Sequence, residues 1–342
     1  MWAVLETPAS GMKVARFTFM KYPLSRLKFP RRFPLRTSSF RLMAATVAAL
    51  VAVSLPAHAA PPAAMPVPTG PVLDHIKQTG KIVLAHRESS VPFSYVDADK
   101  KPIGYAVDLC LKLAEAVRKR LELKTITPEY VMVTGGNRIQ MVAEGKADLE
   151  CGSTTNNAER RQKVAFTVPH YITGARYMVL ADSLLSELPM FEGKKLVSTK
   201  GTTPLKEVDR VNRERLLRIN VIEAPEHAKA MQMVLAGEAD GFVMDDVLLY
   251  GLIASSADPS KLKVVGKFLT IEPLAIMMRK DDPEFKKICD EEMKRLIYSH
   301  EAYTIYDRWF SKPIPPKNLP LNLPMNYLLR DFWKYPSDQV PG

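Results

Sequence analysis

Cysteine and histidine are scarce in this chain, at three and six among 342 residues. With no Cys-x-x-Cys pair, zinc ribbons and most structural metal or redox sites are excluded, and neither a cofactor nor a metal is called for. Aromatic residues make up only 8%, and no stretch approaches the roughly 18–20 consecutive apolar residues of a membrane-spanning helix. What is present is a hydrophobic share of 46% beside 25% charged residues. That supports a sizeable buried core and, at this length, two globular bodies rather than one.

The formal charge of +11 would suggest nucleic acid or a membrane surface as partner if it were spread over the fold. It is concentrated instead. Lys13, Arg16, Lys21, Arg26, Lys28, Arg31, Arg32, Arg36 and Arg41 face Glu6 alone within 1–43, so eight of the eleven excess charges lie there and three remain for the rest. After Arg41 an uncharged run from Leu42 to Val53 leads to Pro56 and to the small-residue site Ala57-His58-Ala59. This is the outline of a secretory signal peptide, residues 1–59, cleaved near Ala59. Its basic region is long, and a start at Met12 or Met20 would shorten it. The expected product lies in the periplasm, with no nucleic-acid partner. An odd number of cysteines there leaves at least one free thiol or an intermolecular bridge, and Cys110, on the apolar face of a predicted helix, reads as a small buried hydrophobe.

Residues 60–71 are Pro-rich and read as a leader. Beyond them α and β patterns alternate: a short helix ending at Gly80, a strand Lys81–His86, a long helix with Ala106, Leu109, Cys110, Leu113, Val117 and Leu121 on one face, a strand near 130–133, a helix over 139–144 and a strand over 149–151. A weak repeat supports two bodies. Gln140-Met141-Val142 precedes Gly145, Ala147 and Asp148, and Gln232-Met233-Val234 precedes Gly237, Ala239 and Asp240 at the same spacing. Each unit reads as a helix stopped at glycine and turned into a strand, followed by Ser153-Thr154-Thr155 in one case and Asp245-Asp246 in the other. Ligands in α/β sheets sit at the carboxyl ends of strands, so the two clusters face one cleft in this reading. Residues 282–310 are helical in pattern, with Tyr303, Tyr306, Trp309 and Phe310 as core rather than a stacking platform.

Polar residues gather at four loops: His86-Arg87-Glu88-Ser89-Ser90, Gly135-Gly136-Asn137-Arg138, a run from Gly152 to Arg160, and Gly201-Thr202-Thr203. A guanidinium at a strand end, as at Arg87, clamps a carboxylate by two parallel hydrogen bonds or forms an ordinary surface ion pair. The Ser/Thr run with Arg160 suits an anion, although such runs taken alone are usually turns and caps.

In combination, the segments 86–95 (HRESSVPFSY), 150–160 (ECGSTTNNAER), Met244-Asp245-Asp246 and Arg279-Lys280-Asp281-Asp282-Pro283 resemble the polar amino-acid solute-binding protein family of ABC transporters, in its periplasmic glutamate/aspartate-binding branch. The resemblance covers nearly all of 72–320. It implies an α/β, two-lobed periplasmic-binding-protein fold of type II, with the ligand cleft between lobes joined by two crossover strands. The crossovers are expected near 176–181 and 273–278, giving 72–181 and 273–320 as lobe 1, 182–272 as lobe 2 and 321–342 as a C-terminal tail. Matching motifs imply Ser153, Thr155 and Arg160 at the ligand's α-carboxylate, Asp245 at its α-ammonium, Thr203 from the second lobe, and the cationic groups Arg87, Arg138 and His227 at a side-chain carboxylate. The implied function is capture of L-glutamate or L-aspartate for an inner-membrane ABC permease, by a monomer that is not an enzyme.

A ligand with two carboxylates and one ammonium matches a shell of three Arg, one His and one Asp, and a neutral amino acid would leave a buried guanidinium unpaired at a cost of about 2–5 kcal/mol. The sequence departs from the family pattern at Gly135, where relatives place Ser, so a hydroxyl contact is missing, and at Pro204, which starts the following helix. Two other readings stand beside this one: a sensor or binding protein for another dicarboxylate or amino acid, and a dehydratase-like enzyme on the same scaffold. Against the latter, only Asp245 and Glu88 offer carboxylates for proton transfer.

Overall fold

The computed structural model describes residues 70–340. The expected signal peptide at 1–59 and almost all of the Pro-rich leader lie outside the described residues. Pro71 occupies the first turn of a helix, Pro71–Thr79, whose missing N–H costs nothing there. Gly80, left-handed at φ 68°, ends it. The Asp282 carboxylate accepts from Val72 N and Leu73 N at this helix and from Phe285 N at the start of Pro283–Tyr298, so one buried side chain caps two helices.

Two five-stranded sheets share one plan. The first runs, edge to edge, Thr127–Met132, Lys81–His86, Leu149–Glu150, Met277–Met278, Ala165–Phe166. The second runs Asn220–Ala224, Lys195–Thr199, Gly241–Asp245, Ala175–Leu180, Leu262–Val265. In each, three parallel strands are followed by antiparallel ones. The internal repeat is structural as well as sequential. Gly145 and Gly237 both sit at φ 71° after their helices. Asp148 Oδ2 accepts from Val83 N at 2.8 Å, and Asp240 Oδ2 accepts from Lys195 N at 2.8 Å, each aspartate clamping the neighbouring parallel strand.

The sheets are linked by a two-stranded antiparallel pair, Tyr171–Thr173 with Glu272–Leu274. This lies a few residues before the 176–181 expected for the first crossover. Ala175–Leu180 already belongs to the second sheet, because it pairs with Gly241–Asp245 on one side and Leu262–Val265 on the other. Further differences follow the chain. The strand expected near 130–133 begins at Thr127. The helix over 282–310 is two helices, Pro283–Tyr298 and Glu301–Phe310, broken at His300 with φ 62°. Residues 321–340 are no free tail: Asn326 Nδ2 donates to Ile172 O at 2.6 Å and the buried Trp333 donates through Nε1 to Pro169 O at 3.1 Å, fastening the helix Tyr327–Phe332 beside the linking pair.

The helix Tyr105–Arg120 buries Ala106, Leu109, Cys110, Leu113, Ala114 and Val117. Cys110 is buried as expected, but it is bonded to Cys151, which ties this helix to the loop at the end of Leu149–Glu150. Closing a loop with a sequence separation of 41 is worth about 4 kcal/mol on chain-entropy grounds. Cys289 is the remaining thiol, free and buried. Tyr306 and Phe310 stack at 4.2 Å within a cluster that includes Phe93, Tyr105 and Tyr171. Among the described residues, no helix is long and apolar enough to cross a membrane.

Candidate functional site

The carboxyl ends of the parallel strands in both sheets carry the polar loops, as open α/β sheets require of a ligand cleft. From the first lobe comes Arg87, directly after Lys81–His86 and completely buried. Its N–H donates to Ser94 Oγ at 2.9 Å, and its Nη2 donates across the cleft to Glu226 Oε2 at 2.9 Å. Arg138, 2% exposed, opens the helix Arg138–Ala143. The turn before it is braced by Asn137 Oδ1 accepting from Thr134 N and Thr134 Oγ1 accepting from Asn137 N. Ser153 and Thr155 follow Leu149–Glu150 through Gly152, where a Cβ would lie 2.2 Å from Glu150 Oε1. Arg160 lies in the short helix Ala158–Arg161, capped by Asn157, and its guanidinium donates to Thr155 O at 2.9 Å and to Gly201 O at 3.2 Å.

From the second lobe come Thr203, His227 and Asp245. Thr203 begins the helix Thr203–Arg215 with Pro204 beside it. Its Oγ1 donates to Glu272 Oε2 at 2.8 Å and lies 3.1 Å from Thr155 Oγ1. His227 begins the helix His227–Leu235, with Nδ1 2.8 Å from Thr199 Oγ1. Asp245 ends the strand Gly241–Asp245 and is 3% exposed.

Between the lobes is a narrow space of about 10 Å³, lined by Arg138, Ser153, Thr155, Thr202, Thr203, Pro204, His227, Met244, Asp245 and Leu248. Six of the eight residues singled out in the sequence line it. Arg87 and Arg160 do not: Arg87 is held by Glu226, and Arg160 is spent on two backbone carbonyls, one on each side of the cleft. Buried polar atoms without a protein partner cluster around this space: Arg87 Nε and Nη1, Arg138 Nε, Glu150 Oε1 and Oε2, Glu226 Oε1, His227 Nε2 and Asp245 Oδ1.

The electrostatics correct the sequence reading in two respects. His227 is not a cation. Burial, reinforced by Arg87 and Arg138, holds its pKa well below the usual imidazole value, so it is a neutral ring. Nδ1 and the Thr199 hydroxyl share one hydrogen bond in which either can donate, and Nε2 is buried with no partner among the described residues. Nor is the shell strongly positive. Three buried arginines face buried Glu150, Asp245 and Glu272 and the nearly buried Glu226. Arg138 is the exposed nerve of this arrangement: it makes no ion pair among the described residues, and burial, with Arg160 and Arg87 adding repulsion, lowers its pKa to about 9. Opposite it, burial and the neighbouring Glu272 and Asp246 push the Asp245 carboxyl well above the ordinary range. A buried cation and a buried carboxylate, each short of a partner, line one small space.

Glu150, Glu226 and Glu272 were missed in the sequence. Glu226 stands beside His227 and Glu150 heads the Gly-Ser-Thr-Thr run, so both were adjacent to marked residues, but only the fold turns their side chains toward the cleft. Glu272 lies on the linking strand, 27 residues beyond Asp245, and carried no local signal. A larger hollow, about 1630 Å³ and open to solvent, lies outside the linking pair against Ile172, Ile271, Leu328 and Phe332; it shares Thr155 and Thr203 with the cleft. Its exposed wall is mostly apolar, with Lys206, Glu207, Arg210, Glu272 and Asp331 also lining it. Among the described residues, no group of three His, Cys, Asp or Glu side chains is placed to hold a metal ion.

Residues 82–312 match the model of the bacterial extracellular solute-binding proteins, family 3. The chain is 40% identical over 269 residues to the L-glutamate/L-aspartate-binding protein of Pseudomonas aeruginosa, covering 78% of this chain and 89% of that one. It is 37% identical over 271 residues to the glutamate/aspartate import solute-binding protein of Escherichia coli K12, covering 79% and 90%. Among solved structures it is similar to an ancestral amino acid-binding protein, AncCDT-1, a precursor of cyclohexadienyl dehydratase, with a TM-score of 0.59 and 26% identity over 70% of this chain and 99% of that one.

Proposed function

The chain belongs to family 3 of the bacterial extracellular solute-binding proteins, and from that premise we propose that it captures L-glutamate or L-aspartate outside the cytoplasm and delivers it to an ABC-transporter permease without transforming it. The observation that carries this reading is the unpaired, fully buried Arg138 and the unpaired Asp245 lining the same space between the lobes. An acidic amino acid supplies both missing partners, a carboxylate for the guanidinium and an ammonium for the aspartate. In this assignment Arg138 holds the side-chain carboxylate, helped by the neutral His227 as a hydrogen-bond donor and by the free Nε and Nη1 of Arg87. Ser153, Thr155 and Thr203 hold the α-carboxylate, Arg160 fixes the loop that carries them, and Asp245 holds the α-ammonium. A dicarboxylate without the amino group would set its charge against Asp245, which disfavours succinate-like ligands. The lobes are then about 72–174 with 275–340, and about 175–271, and residues 1–59 direct export.

Isothermal titration of the purified protein, stripped of bound amino acid by unfolding and refolding, tests the reading. L-Glutamate or L-aspartate binds at micromolar Kd or tighter, L-glutamine about 100-fold more weakly, and succinate not at all. Arg138→Gln removes most of the acidic ligand's affinity and little of glutamine's. Equal losses for both ligands would remove the side-chain role of Arg138, and a wild-type protein that binds neither acidic amino acid would overturn the function.

A further inference from the structure

One contact across the cleft is made by backbone alone. An ideal Cβ placed on Gly135 of the first lobe would lie 2.5 Å from Lys200 O of the second, and one placed on Gly201, at φ 75°, would lie 2.3 Å from Gly135 O and 2.9 Å from Gly136 Cα. Real Cβ atoms keep about 3.4 Å from such neighbours, so the two loops approach closer than side-chain-bearing residues permit. Neither loop is free to retreat. Residues 134–137 are locked by the reciprocal Thr134–Asn137 bonds. Lys200 N donates to Ala224 O, Thr202 Oγ1 donates to Thr199 O at 2.6 Å, and Gly201 O accepts from Arg160 Nη2. Arg138 begins three residues beyond Gly135 and Thr202 lines the cavity one residue beyond Gly201, so the depth of this contact sets the distance between the walls of the cleft.

We infer that Gly135 and Gly201 form a closing seam, and that Gly135 is a positioning residue for ligand affinity because it lacks a side chain. Any Cβ at 135 holds the lobes apart by a good part of an ångström at a point beside Arg138 and Arg160. A Ser placed at 135 would therefore not supply a further hydroxyl contact in this protein; it would obstruct the seam. The two accounts differ in sign, since restoring a contact strengthens binding while wedging the seam weakens it. The inference deepens the amino-acid-binding reading above and rests on it for its ligand.

The test compares Gly135→Ser, Gly135→Ala and the control Gly136→Ala, whose Cβ would meet nothing nearer than 3.7 Å. Titration with L-glutamate gives Kd and stopped flow gives the dissociation rate. Small-angle scattering of each protein with and without L-glutamate reads how far the lobes close. Both Gly135 variants lose at least tenfold in affinity, mainly through faster dissociation. Their radius of gyration stays above that of the wild type in the presence of ligand, while Gly136→Ala stays within twofold. Gly135 does not have a left-handed φ, so melting in the absence of ligand is unchanged in all three. A Gly135→Ser protein that binds as tightly as the wild type, or more tightly, overturns the seam. Should the wild type bind no acidic amino acid and yet be more compact than Gly135→Ser, the ligand assignment fails and the seam stands; equal radii throughout sink the seam by themselves.

Discussion

The two lobes are built from the same unit and present opposite charges to the cleft. In each, a helix stops at a left-handed glycine, an aspartate clamps the neighbouring strand, and the next strand ends at the site. The first lobe then offers Arg87, Arg138 and Arg160 with Glu150 beneath them, whereas the second offers Glu226 and Asp245 with a neutral His227. One scaffold thus carries either sign, because sheet and helix geometry fix where the loops emerge and leave their side chains unconstrained. The difference also explains how the lobes hold each other: Arg87 pairs with Glu226, and Lys206 of the second lobe reaches Glu159 of the first at 2.6 Å. The first pair is nearly buried and counts for more. The second is exposed on both sides and contributes little.

The comparison breaks most severely if the negative lobe loses its one cleft-lining carboxylate. Asp245→Asn leaves the shape intact and removes the partner of the ammonium, so amino-acid affinity drops by about 100-fold or more. Titration with L-glutamate reads the loss, and an unchanged Kd would place the ammonium elsewhere. A milder change sharpens the contrast. Glu226→Gln takes away a carboxylate that shares Arg87 with the ligand, so the ratio of glutamate to glutamine affinity rises by about tenfold, or about 1.4 kcal/mol. Paired titrations at two salt concentrations check it, and a constant ratio would mean that Glu226 only fastens the lobes.

The smallest effect is one in which the lobes behave alike. Each buries a neutral histidine: His170 in the first, its pKa pushed down to about 3 by burial, and His227 in the second, also driven down by burial. An unfolded histidine takes up a proton near 6.5, whereas these folded ones do not, so the unfolded state binds more protons below that pH and stability falls as the solution is acidified. Between pH 7 and pH 5 His170 contributes a loss of about 2 kcal/mol, and His227 a loss of the same sign. Urea unfolding at the two pH values measures the sum. His227→Gln lessens the slope if the second lobe carries its share, and an unaltered slope would exempt it.

Much of the fold was legible in the sequence because it rests on short-range rules. Lys81–His86 lies where its apolar run and the preceding Gly80 put it, and the glycine stops at 145 and 237 mark both repeat units. Errors fell where distant contacts decide. The strand over 175–180 is apolar enough to read as part of either lobe until its partners are known. The C-terminal residues, rich in Pro and Asn, gave no core signal, yet Trp333 is 2% exposed against the linking pair. In the site, Arg138, Asp245, Ser153, Thr155, Thr203 and His227 were implied by the family resemblance, and all six line one cavity. The charge on His227 was misread, since burial is a property of the fold. The three glutamates were passed over, since an acidic residue in a loop or strand is ordinarily solvated.

Patterning over a few residues therefore determined the alternation of helices and strands, the two related halves and the loops at the strand ends. Hydrophobic periodicity and glycine stereochemistry act locally and need no partner. Tertiary structure alone decided the bonding of Cys110 to Cys151, the pairing of Arg87 with Glu226, the neutrality of His227 and the backbone contact of Gly135 with the loop at Gly201. Each of those depends on two segments, far apart in the chain, being brought within bonding distance in a medium from which water is excluded, and no local pattern encodes that distance.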